Sequence, residues 1–387
     1  MDKQLYRVKL LYIIITLVLL FFVCKQKDST YLKGEEAIKN ISLSDKPTGQ
    51  LVDQGYKVVC SNLKNISLSL HGKAKMVNSG MIRAMNDTIY IIDRNFPEIK
   101  VFTTAGKYIR DIYVEPKHKI GFDFVDFMIL PDDRLFIKNS RQQEIIIANL
   151  KGDVLHRIDF SISKNEFESL AFTGMSFCCI DGTEKLFSGL VQHNKDIFEE
   201  AFNVVIMDVA KRVVENRIIK RSKLMKKYNL TNFQPFSFTV YNQNIYFLEQ
   251  PLPYIRVFNM SGDYIKTFGV PGKHMRPIEK QPRMEGDIEK ISTFIKKHTL
   301  YDDILLLEGI SNEISRAFLI VYYNFNVENS IFGILYDSKD KLLFNDISLP
   351  GYPCDVIDGN KILFRVNRMN NRIDLAIGTI KIIKKDD

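Results

Sequence analysis

The sequence predicts an all-β protein, a six-bladed β-propeller with four-stranded antiparallel blades. Three observations lead to this prediction. A pattern of polar turns and apolar strands occurs six times, each copy except the last contains four predicted strands, and the polar turns are spaced about 46 to 61 residues apart. Such spacings lie in or near the range of propeller blades and outside that of short helical repeats.

The clearest copy of the pattern shows how one unit is built. A polar turn at 86–88 (Asn-Asp-Thr) is followed by apolar strands at 89–93 and 99–102. A second turn at 105–107 (Ala-Gly-Lys) then leads into a further strand at 108–112. Asn, Asp and Gly supply the left-handed backbone positions that tight hairpins require.

The polar turns of the six units are predicted to begin at Asp132, Asp181, Asn242, Asp302 and Asp358, in addition to Asn86. Each turn follows a short apolar run that is typical of a strand, and these runs are 81–85, 125–130, 175–180, 236–241, 291–295 and 352–357. This run becomes the innermost strand, which brings each unit to the four strands of a propeller blade.

The last unit lacks an outer strand, because the chain ends soon after the strand predicted at 372–383. Residues 65–70 lie upstream of the first unit and alternate between polar and apolar side chains with the period of a strand. We expect this N-terminal strand to complete the sixth blade and close the ring, which removes an exposed sheet edge. Residues 56–72 are therefore predicted to be essential for stability.

The composition suits one large domain at 56–387. The 387-residue chain is 45% hydrophobic and 26% charged, with 27 Phe and 17 Tyr to fill the spaces between blades. A formal net charge of +8 is modest for this length. Nucleic-acid binding would require a denser basic stripe, so we expect no nucleic-acid partner. We expect a monomer.

The first 23 residues form a separate segment. Lys3, Arg7 and Lys9 precede a 14-residue apolar run, which fits a signal peptide better than a full membrane span. Cys24 resembles the acylated cysteine of bacterial lipoproteins, although Val23 replaces the usual small residue before it. The alternative is an uncleaved N-terminal membrane anchor. Residues 24–55 are predicted to be a polar, flexible tether, which places the domain in the cell envelope.

The repeated units resemble those of six-bladed NHL and TolB-like propellers, in particular exported bacterial lipoproteins of unknown function. The resemblance covers roughly residues 66–383 and depends on the strand pattern of the first and fourth units. It implies the fold and leaves the ligand open. Residues 115–119 and 269–273 depart from the Gly-Pro-Gly-Glu type segment that many relatives carry between blades.

Two classes of loop meet at one face of a propeller, and both carry candidate site residues. The loops that lead into the innermost strands are basic, and their candidate ligand-binding residues are Lys117, His118, Lys119, Arg221, Lys223, Lys226, Lys227, Lys273, His274 and Arg276. If these residues converge, they form a positive rim for an anionic glycan, peptide or protein. The alternative is that they simply solvate long surface loops.

The second class of candidates ends the predicted second strand in five of the six units. These strand-end residues are Asp93, Asn139, Glu249, Glu308 and Asn367. A ring of such oxygen ligands would suit calcium. The structural alternative is that each carboxylate or amide caps the turn that follows its strand, and we favour this interpretation because a repeated position usually serves the repeat.

No catalytic motif accompanies these patterns. The sequence has no HExxH, GxSxG, Walker or Rossmann glycine motif, and its six histidines lack metal-ligand spacing. We therefore predict a non-catalytic binding module without a metal or cofactor. The alternatives are a calcium-dependent lactonase-type propeller hydrolase and an accessory subunit of an envelope complex.

Overall fold

A computed structural model of the chain describes residues 55–70, 72, 76, 79–119, 121–160, 168–192, 201–228, 236–250, 252–276, 288–324, 331–369 and 372–384. Within these residues the chain forms 24 strands and two helices. The strands are grouped in six antiparallel sheets of four strands each. The protein is a six-bladed β-propeller, as the sequence predicts.

Strand β1 (Tyr56–Ser69) comes before blade 1 in the chain and is part of blade 6. Blade 1 comprises β2 (Ser79–Met85), β3 (Thr88–Asp93), β4 (Glu98–Thr103) and β5 (Tyr108–Tyr113). Blade 2 comprises β6 (Phe124–Ile129), β7 (Arg134–Asn139), β8 (Glu144–Asn149) and β9 (Val154–Asp159). Blade 3 comprises β10 (Glu168–Ile180), β11 (Thr183–Gln192), β12 (Phe202–Asp208) and β13 (Val213–Lys220).

Helices lead into two of the remaining blades. Helix α1 (Lys223–Lys227) precedes blade 4, which comprises β14 (Phe236–Tyr241), β15 (Asn244–Glu249), β16 (Ile255–Asn259) and β17 (Tyr264–Phe268). Helix α2 (Ile288–Lys297) precedes blade 5, which comprises β18 (Thr299–Glu308), β19 (Arg316–Asn324), β20 (Ile331–Asp337) and β21 (Leu342–Ser348). Blade 6 comprises β22 (Tyr352–Asp358), β23 (Lys361–Met369), β24 (Arg372–Lys384) and β1.

Strands from both ends of the described chain close the ring. Strand β1 pairs antiparallel with β24 along its length, from Tyr56 opposite Lys384 to Ser69 opposite Arg372. The innermost strands contact one another in the circular order β2, β6, β10, β14, β18, β22 and back to β2. The predicted closure by an N-terminal strand is confirmed.

The alternating strand directions define two faces of the ring. Each innermost strand starts at the face that carries the lead-in loops, which we call the loop face, and ends at the opposite face, the turn face. Second strands run back and end at the loop face. Strand β1 is the outermost strand of blade 6. Its first residue, Tyr56, therefore lies at the turn face, and its last residue, Ser69, lies at the loop face.

Aromatic side chains fill the spaces between blades, as the composition predicts. Tyr246 of blade 4 packs on Phe318 of blade 5 with ring centroids 4.3 Å apart. Phe136 of blade 2 meets Phe177 of blade 3 at 5.7 Å. Such inter-sheet contacts bury large apolar areas and are the main source of stability in this architecture.

Within the described residues, the predicted strands are wrong in the fifth unit. Residues 291–295 lie in helix α2, and Asp302 and Asp303, predicted as a polar turn, lie within the innermost strand β18. The hairpin of blade 5 instead falls between Glu308 and Arg316. An aspartate pair is tolerated inside this strand because the innermost strands line a cavity.

The cysteines of the described residues are unpaired. The four cysteines at positions 60, 178, 179 and 354 are free thiols. Cys60 lies in the outermost strand of blade 6 and Cys354 in its innermost strand, so the fold separates them.

No helix within the described residues is long and apolar enough to cross a membrane. The predicted leader (1–23), Cys24 and nearly all of the tether (24–55) lie outside the described residues.

Candidate functional site

A central cavity of about 850 Å³ runs between the six innermost strands. All six of these strands contribute to its wall, and four residues at or near the loop-face ends of second strands join them. These four residues are Arg94, Gln250, Tyr323 and Arg365. The volume lies within the range of small-molecule sites in proteins.

Three aspartates occupy equivalent positions in the innermost strands of blades 2, 5 and 6. Asp126, Asp303 and Asp355 each lie at a shift in strand register. In each case Oδ1 accepts a hydrogen bond from the backbone N–H of the next residue, at 2.8 to 3.0 Å. The register shift thus directs a carboxylate toward its own backbone, which stabilises the bulge.

Arg83 of blade 1 hydrogen-bonds to one of these acids and to backbone carbonyls of blades 2 and 6. Its Nη2 donates to Asp126 Oδ1 at 3.0 Å, its Nε to the Phe127 carbonyl at 3.1 Å and its Nη1 to the Cys354 carbonyl at 3.0 Å. Burial acts to lower the pKa of Arg83, but the negative charges of Asp126, Asp355 and Asp303 outweigh it and the pKa is raised. The guanidinium remains charged and ties blades 1, 2 and 6 together.

Lys138 is a second buried cation near this cluster. The residue is fully buried, and its Nζ donates to the carbonyl oxygens of Ala171 and Gly174 at 3.2 and 3.1 Å. Burial lowers its pKa to about 8, although the charge of Asp126 opposes the shift. Lys138 therefore links blades 2 and 3 behind the cavity wall.

A carboxyl–amide pair lies at the loop-face end of the cavity. Gln250, which is only 4% exposed, donates from Nε2 to Asp302 Oδ1. Burial, followed by the charge of neighbouring Asp303, raises the pKa of Asp302 to about 7. Asp302 therefore exchanges a proton near neutral pH, which makes it suited to both donating and accepting hydrogen bonds.

Two arginines at this end of the cavity differ in their partners. Arg94 makes a two-point contact with Asp123, from Nε at 3.0 Å and from Nη2 at 2.8 Å. Its stem crosses Gly80, where a Cβ atom would lie 3.0 Å from Arg94 Cγ. Arg365 lies over the ring of Tyr352 at 5.6 Å. No described residue hydrogen-bonds or forms an ion pair with the Arg365 guanidinium.

The basic loop residues lie outside this wall: none of the ten candidates is among the described residues that line the cavity. The group at 117–119 contacts blade 2. Lys117 Nζ lies 2.5 Å from Asp159 Oδ2, and the backbone of His118 exchanges hydrogen bonds with the side chain of Gln142. Lys119 is exposed.

The second basic group surrounds helix α1. Arg221 is buried, which lowers the pKa of its guanidinium, whereas Lys223, Lys226 and Lys227 are exposed. Ser222 caps the helix by accepting from the Leu224 N–H at 3.1 Å. The opposite side of the helix is apolar and packs in a cluster of residues that includes Leu252, Tyr254, Phe294 and Leu300.

The third basic group is held against blade 5 by its backbone. The Lys273 N–H donates to Asp346 Oδ2 at 2.7 Å, and the Arg276 N–H donates to Thr299 Oγ1 at 2.7 Å. The His274 ring stacks on Phe332 at 4.3 Å. The three groups thus line the loop face against different blades, around the cavity rather than within it.

The strand-end residues make structural contacts where the structure describes them. Asp93 accepts from the Asn95 N–H at 3.0 Å, as expected for a turn cap. Asn139 accepts from the Asp123 N–H at 3.0 Å, and Glu249 accepts from the Ser222 N–H at 3.1 Å while pairing with Arg256. Each side chain fixes a loop of the loop face.

Glu308 does not belong to this set. It is the last residue of the innermost strand β18 and therefore lies at the turn face, where Arg316 Nε approaches Glu308 Oε1 at 2.7 Å. The equivalent strand end in blade 5 is Asn324, which the sequence analysis missed because the fifth unit was read out of register. Asn324 accepts from Thr299 Oγ1 at 2.6 Å. Asn367 lies near the end of β23, as predicted, and its side chain is outside the described part.

No three His, Cys, Asp or Glu side chains of the described ranges are grouped so as to hold one metal ion. Sequence reasoning also missed the cavity residues Arg83, Asp126, Asp303 and Asp355. A signal was present in two of the predicted innermost runs, since 125–130 and 352–357 each contain an aspartate flanked by apolar residues. Such an acid needs a partner when it is buried, and Arg83 is that partner for Asp126.

The fold and the site define a six-bladed propeller with a charged central cavity. No family model matches the chain, and no curated protein matches it. Among solved structures, a DUF4221 family member from Bacteroides vulgatus is similar, with a TM-score of 0.60 and 12% identity over 85% of this chain and 99% of that one. An exported-protein candidate from Bacteroides fragilis has a TM-score of 0.51 and 12% identity over 87% and 98% of the two chains. These similarities support the fold alone.

Proposed function

We propose that this protein is a non-catalytic binding module that recognises an anionic glycan, peptide or protein on its loop face. The observation that carries the proposal is the position of the cavity, about 850 Å³ in volume, whose loop-face end carries Arg94 and Arg365. Concave sites with a few convergent polar groups are the usual ligand sites of proteins.

The charge around the cavity supports an anionic partner. Lys119, Lys223, Lys226 and Lys227 are exposed, and they lie in lead-in loops of the same face. Clustered cations attract an extended anion and accelerate its association. A polymer or an acidic protein surface reaches both the exposed loops and the cavity, whereas a small ion reaches only one of them.

The N-terminal pattern supports a location in the cell envelope. Its basic residues and apolar run favour export, and Cys24 would carry the lipid if the segment is processed as in lipoproteins. A similarly folded protein from Bacteroides fragilis is an exported-protein candidate. Membrane tethering is therefore part of the proposal.

The test is salt-dependent retention of the full-length chain on immobilised polygalacturonate, with neutral dextran as the reference. We expect elution from polygalacturonate at a clearly higher salt concentration, because exposed charges are screened by salt. Replacing Lys119, Lys226 and Lys227 by Gln lowers that concentration. The matched control replaces Lys107, Lys151 and Lys339, three exposed lysines in turns of the turn face. Equal retention on dextran, or equal loss in the control variant, would contradict the proposal.

A further inference from the structure

We infer that the loop-face end of the central cavity is a subsite for one carboxylate-bearing sugar unit, the terminal uronic acid of an acidic glycan. The inference depends on the proposed function and narrows its ligand. Several side chains at this end of the cavity have donors or acceptors that form no hydrogen bond with the described residues.

Ser79 is the clearest of these side chains. It lines the cavity at the start of β2 and is only 8% exposed, yet its Oγ has no hydrogen-bond partner among the described residues. A buried hydroxyl without a partner is unfavourable in typical proteins. The Oγ is almost fully covered, so a polar ligand atom bonds to it only after a small rotation of the Ser79 side chain.

Arg365 supplies the charge that a carboxylate requires. Its guanidinium lies over Tyr352 and forms no ion pair within 4 Å among the described residues, and its charge is felt by the nearby Asp302 carboxyl. Arg94 at the same end already donates two hydrogen bonds to Asp123. The Arg365 guanidinium is therefore the group that can form a two-point contact with a ligand carboxylate. Arginine and a carboxylate form such paired hydrogen bonds readily.

Asp302 and Gln250 match the hydroxyl groups of a sugar. Gln250 already donates to Asp302 Oδ1, so the pair presents the remaining carboxyl oxygen and the amide oxygen to a ligand. Because burial raises the pKa of Asp302 to about 7, this acid repels an anionic ligand less than a fully ionised one would. Vicinal hydroxyls can donate to both oxygens.

The neighbouring aromatic rings favour a sugar over a peptide terminus. Tyr323 meets Tyr352 edge to face, with centroids 6.2 Å apart, and both line the cavity. Such rings pack against the apolar face of a sugar ring. A peptide carboxylate would satisfy Arg365, but its single backbone N–H would leave part of the Asp302, Gln250 and Ser79 set without a partner.

These groups belong to consecutive blades. Gln250 comes from blade 4, Asp302 and Tyr323 from blade 5, Tyr352 and Arg365 from blade 6 and Ser79 from blade 1. The ring therefore arranges one cation, one proton-exchanging acid, one amide, one hydroxyl and two aromatic rings along one arc of the cavity wall.

The experiment is calorimetric titration of the full-length protein with trigalacturonate, neutral trigalactose and triglutamate as probes. We expect trigalacturonate to bind and trigalactose to bind at least about tenfold more weakly, since the charged contact is lost. Arg365→Met is expected to lower the affinity for trigalacturonate about tenfold, and Ser79→Ala by a smaller factor. Arg110→Met removes an exposed arginine of β5 and serves as the matched control.

The outcomes separate the subsite from the proposed function. If the wild-type protein is not retained on polygalacturonate and binds no trimer, the proposed function is wrong. If it is retained through the loop-face lysines but Arg365→Met binds trigalacturonate like wild type, only the subsite is wrong. Equal affinity for triglutamate would overturn the choice of a sugar. If Arg365→Met fails to fold, Arg365→Lys takes its place. Lysine keeps the charge but cannot form the two-point contact, so the affinity for trigalacturonate is still expected to fall.

Discussion

Arg83 shows how one side chain holds several blades together. It donates to groups of blades 2 and 6, and one of these, the Asp126 carboxylate, is fully buried. The second oxygen of Asp126 has no partner among the described residues, and Arg83 is the cation that forms an ion pair with this acid. Removing Arg83 therefore leaves a buried carboxylate whose remaining nearby cation, Lys138, is not in ion-pair contact with it.

We predict that Arg83→Met lowers the free energy of unfolding by about 3 to 5 kcal/mol, the usual cost of breaking a buried ion pair from one side. Urea denaturation measures the change. Arg316→Met is the matched control, since Arg316 and Glu308 form an exposed pair worth about 1 kcal/mol or less. Similar losses in both variants would show that Arg83 has no special role in joining the blades.

Asp302 gives the cavity a pH dependence. Its pKa in the folded protein is about 7, above the value of an unfolded aspartate, so the folded state binds the proton more tightly. The contribution of Asp302 to the free energy of unfolding is therefore fully present below about pH 4 and is lost as the pH rises through 7. The pKa values of Asp303 and Asp355 are also raised, mainly by burial, and act in the same direction.

We predict that Asp302→Asn reduces this pH-dependent loss, because the amide cannot ionise. Between pH 4.5 and pH 7.5 the wild-type protein should lose roughly 3 kcal/mol more of its free energy of unfolding than the variant, given the size of the pKa shift. Denaturation at the two pH values provides the comparison, with Asp358→Asn, an exposed aspartate, as the control. Parallel pH profiles for wild type and Asp302→Asn would be inconsistent with this assignment.

Strand β1 is the element on which ring closure depends. It pairs with β24 over most of its length, and its inward side chains Ile66 and Leu68 are 3% and 0% exposed. They pack in the cluster that joins blade 6 to blade 1. Without these contacts β24 would become an open sheet edge.

We predict that Leu68→Ala lowers the free energy of unfolding by about 2 to 5 kcal/mol, because a buried leucine is replaced by a cavity. Leu63→Ala offers a control in the same strand, since Leu63 is 49% exposed and its truncation is expected to change stability by about 0.5 kcal/mol or less. Thermal unfolding of both variants tests the difference. A small effect of Leu68→Ala would mean that the ring stays closed without β1.

At the scale of the whole molecule, the ends of the described chain lie side by side. Tyr56 and Lys384 are directly paired, and the break in blade 6 falls between two antiparallel neighbours. A permuted chain that joins Lys384 to Tyr56 through Asn-Gly and opens between Ser338 and Lys339 should therefore fold. We expect one cooperative unfolding transition and an unchanged β-sheet circular dichroism spectrum. Aggregation, or two separate transitions, would argue against a ring that is closed only by strand pairing.

The sequence predicted the ring better than the cavity. The hairpin turns were recognisable because Asn86, Asp87, Asn242 and Gln243 adopt the positive φ angles that their turns require. Blade 5 was misread because Asp302 and Asp303 look like a turn but face the cavity. The secondary-structure propensity of a short segment does not indicate which strands line the central cavity of a ring. Pairings such as Arg83 with Asp126 join distant positions, so only the folded chain brings them together.

The direction of β1 also determines where the preceding chain joins the propeller. Its first residue lies at the turn face, on the side away from the basic loops. In the membrane-tethered protein that we propose, the tether would therefore leave from the turn face, which allows the cavity mouth with Arg365 to face away from the bilayer.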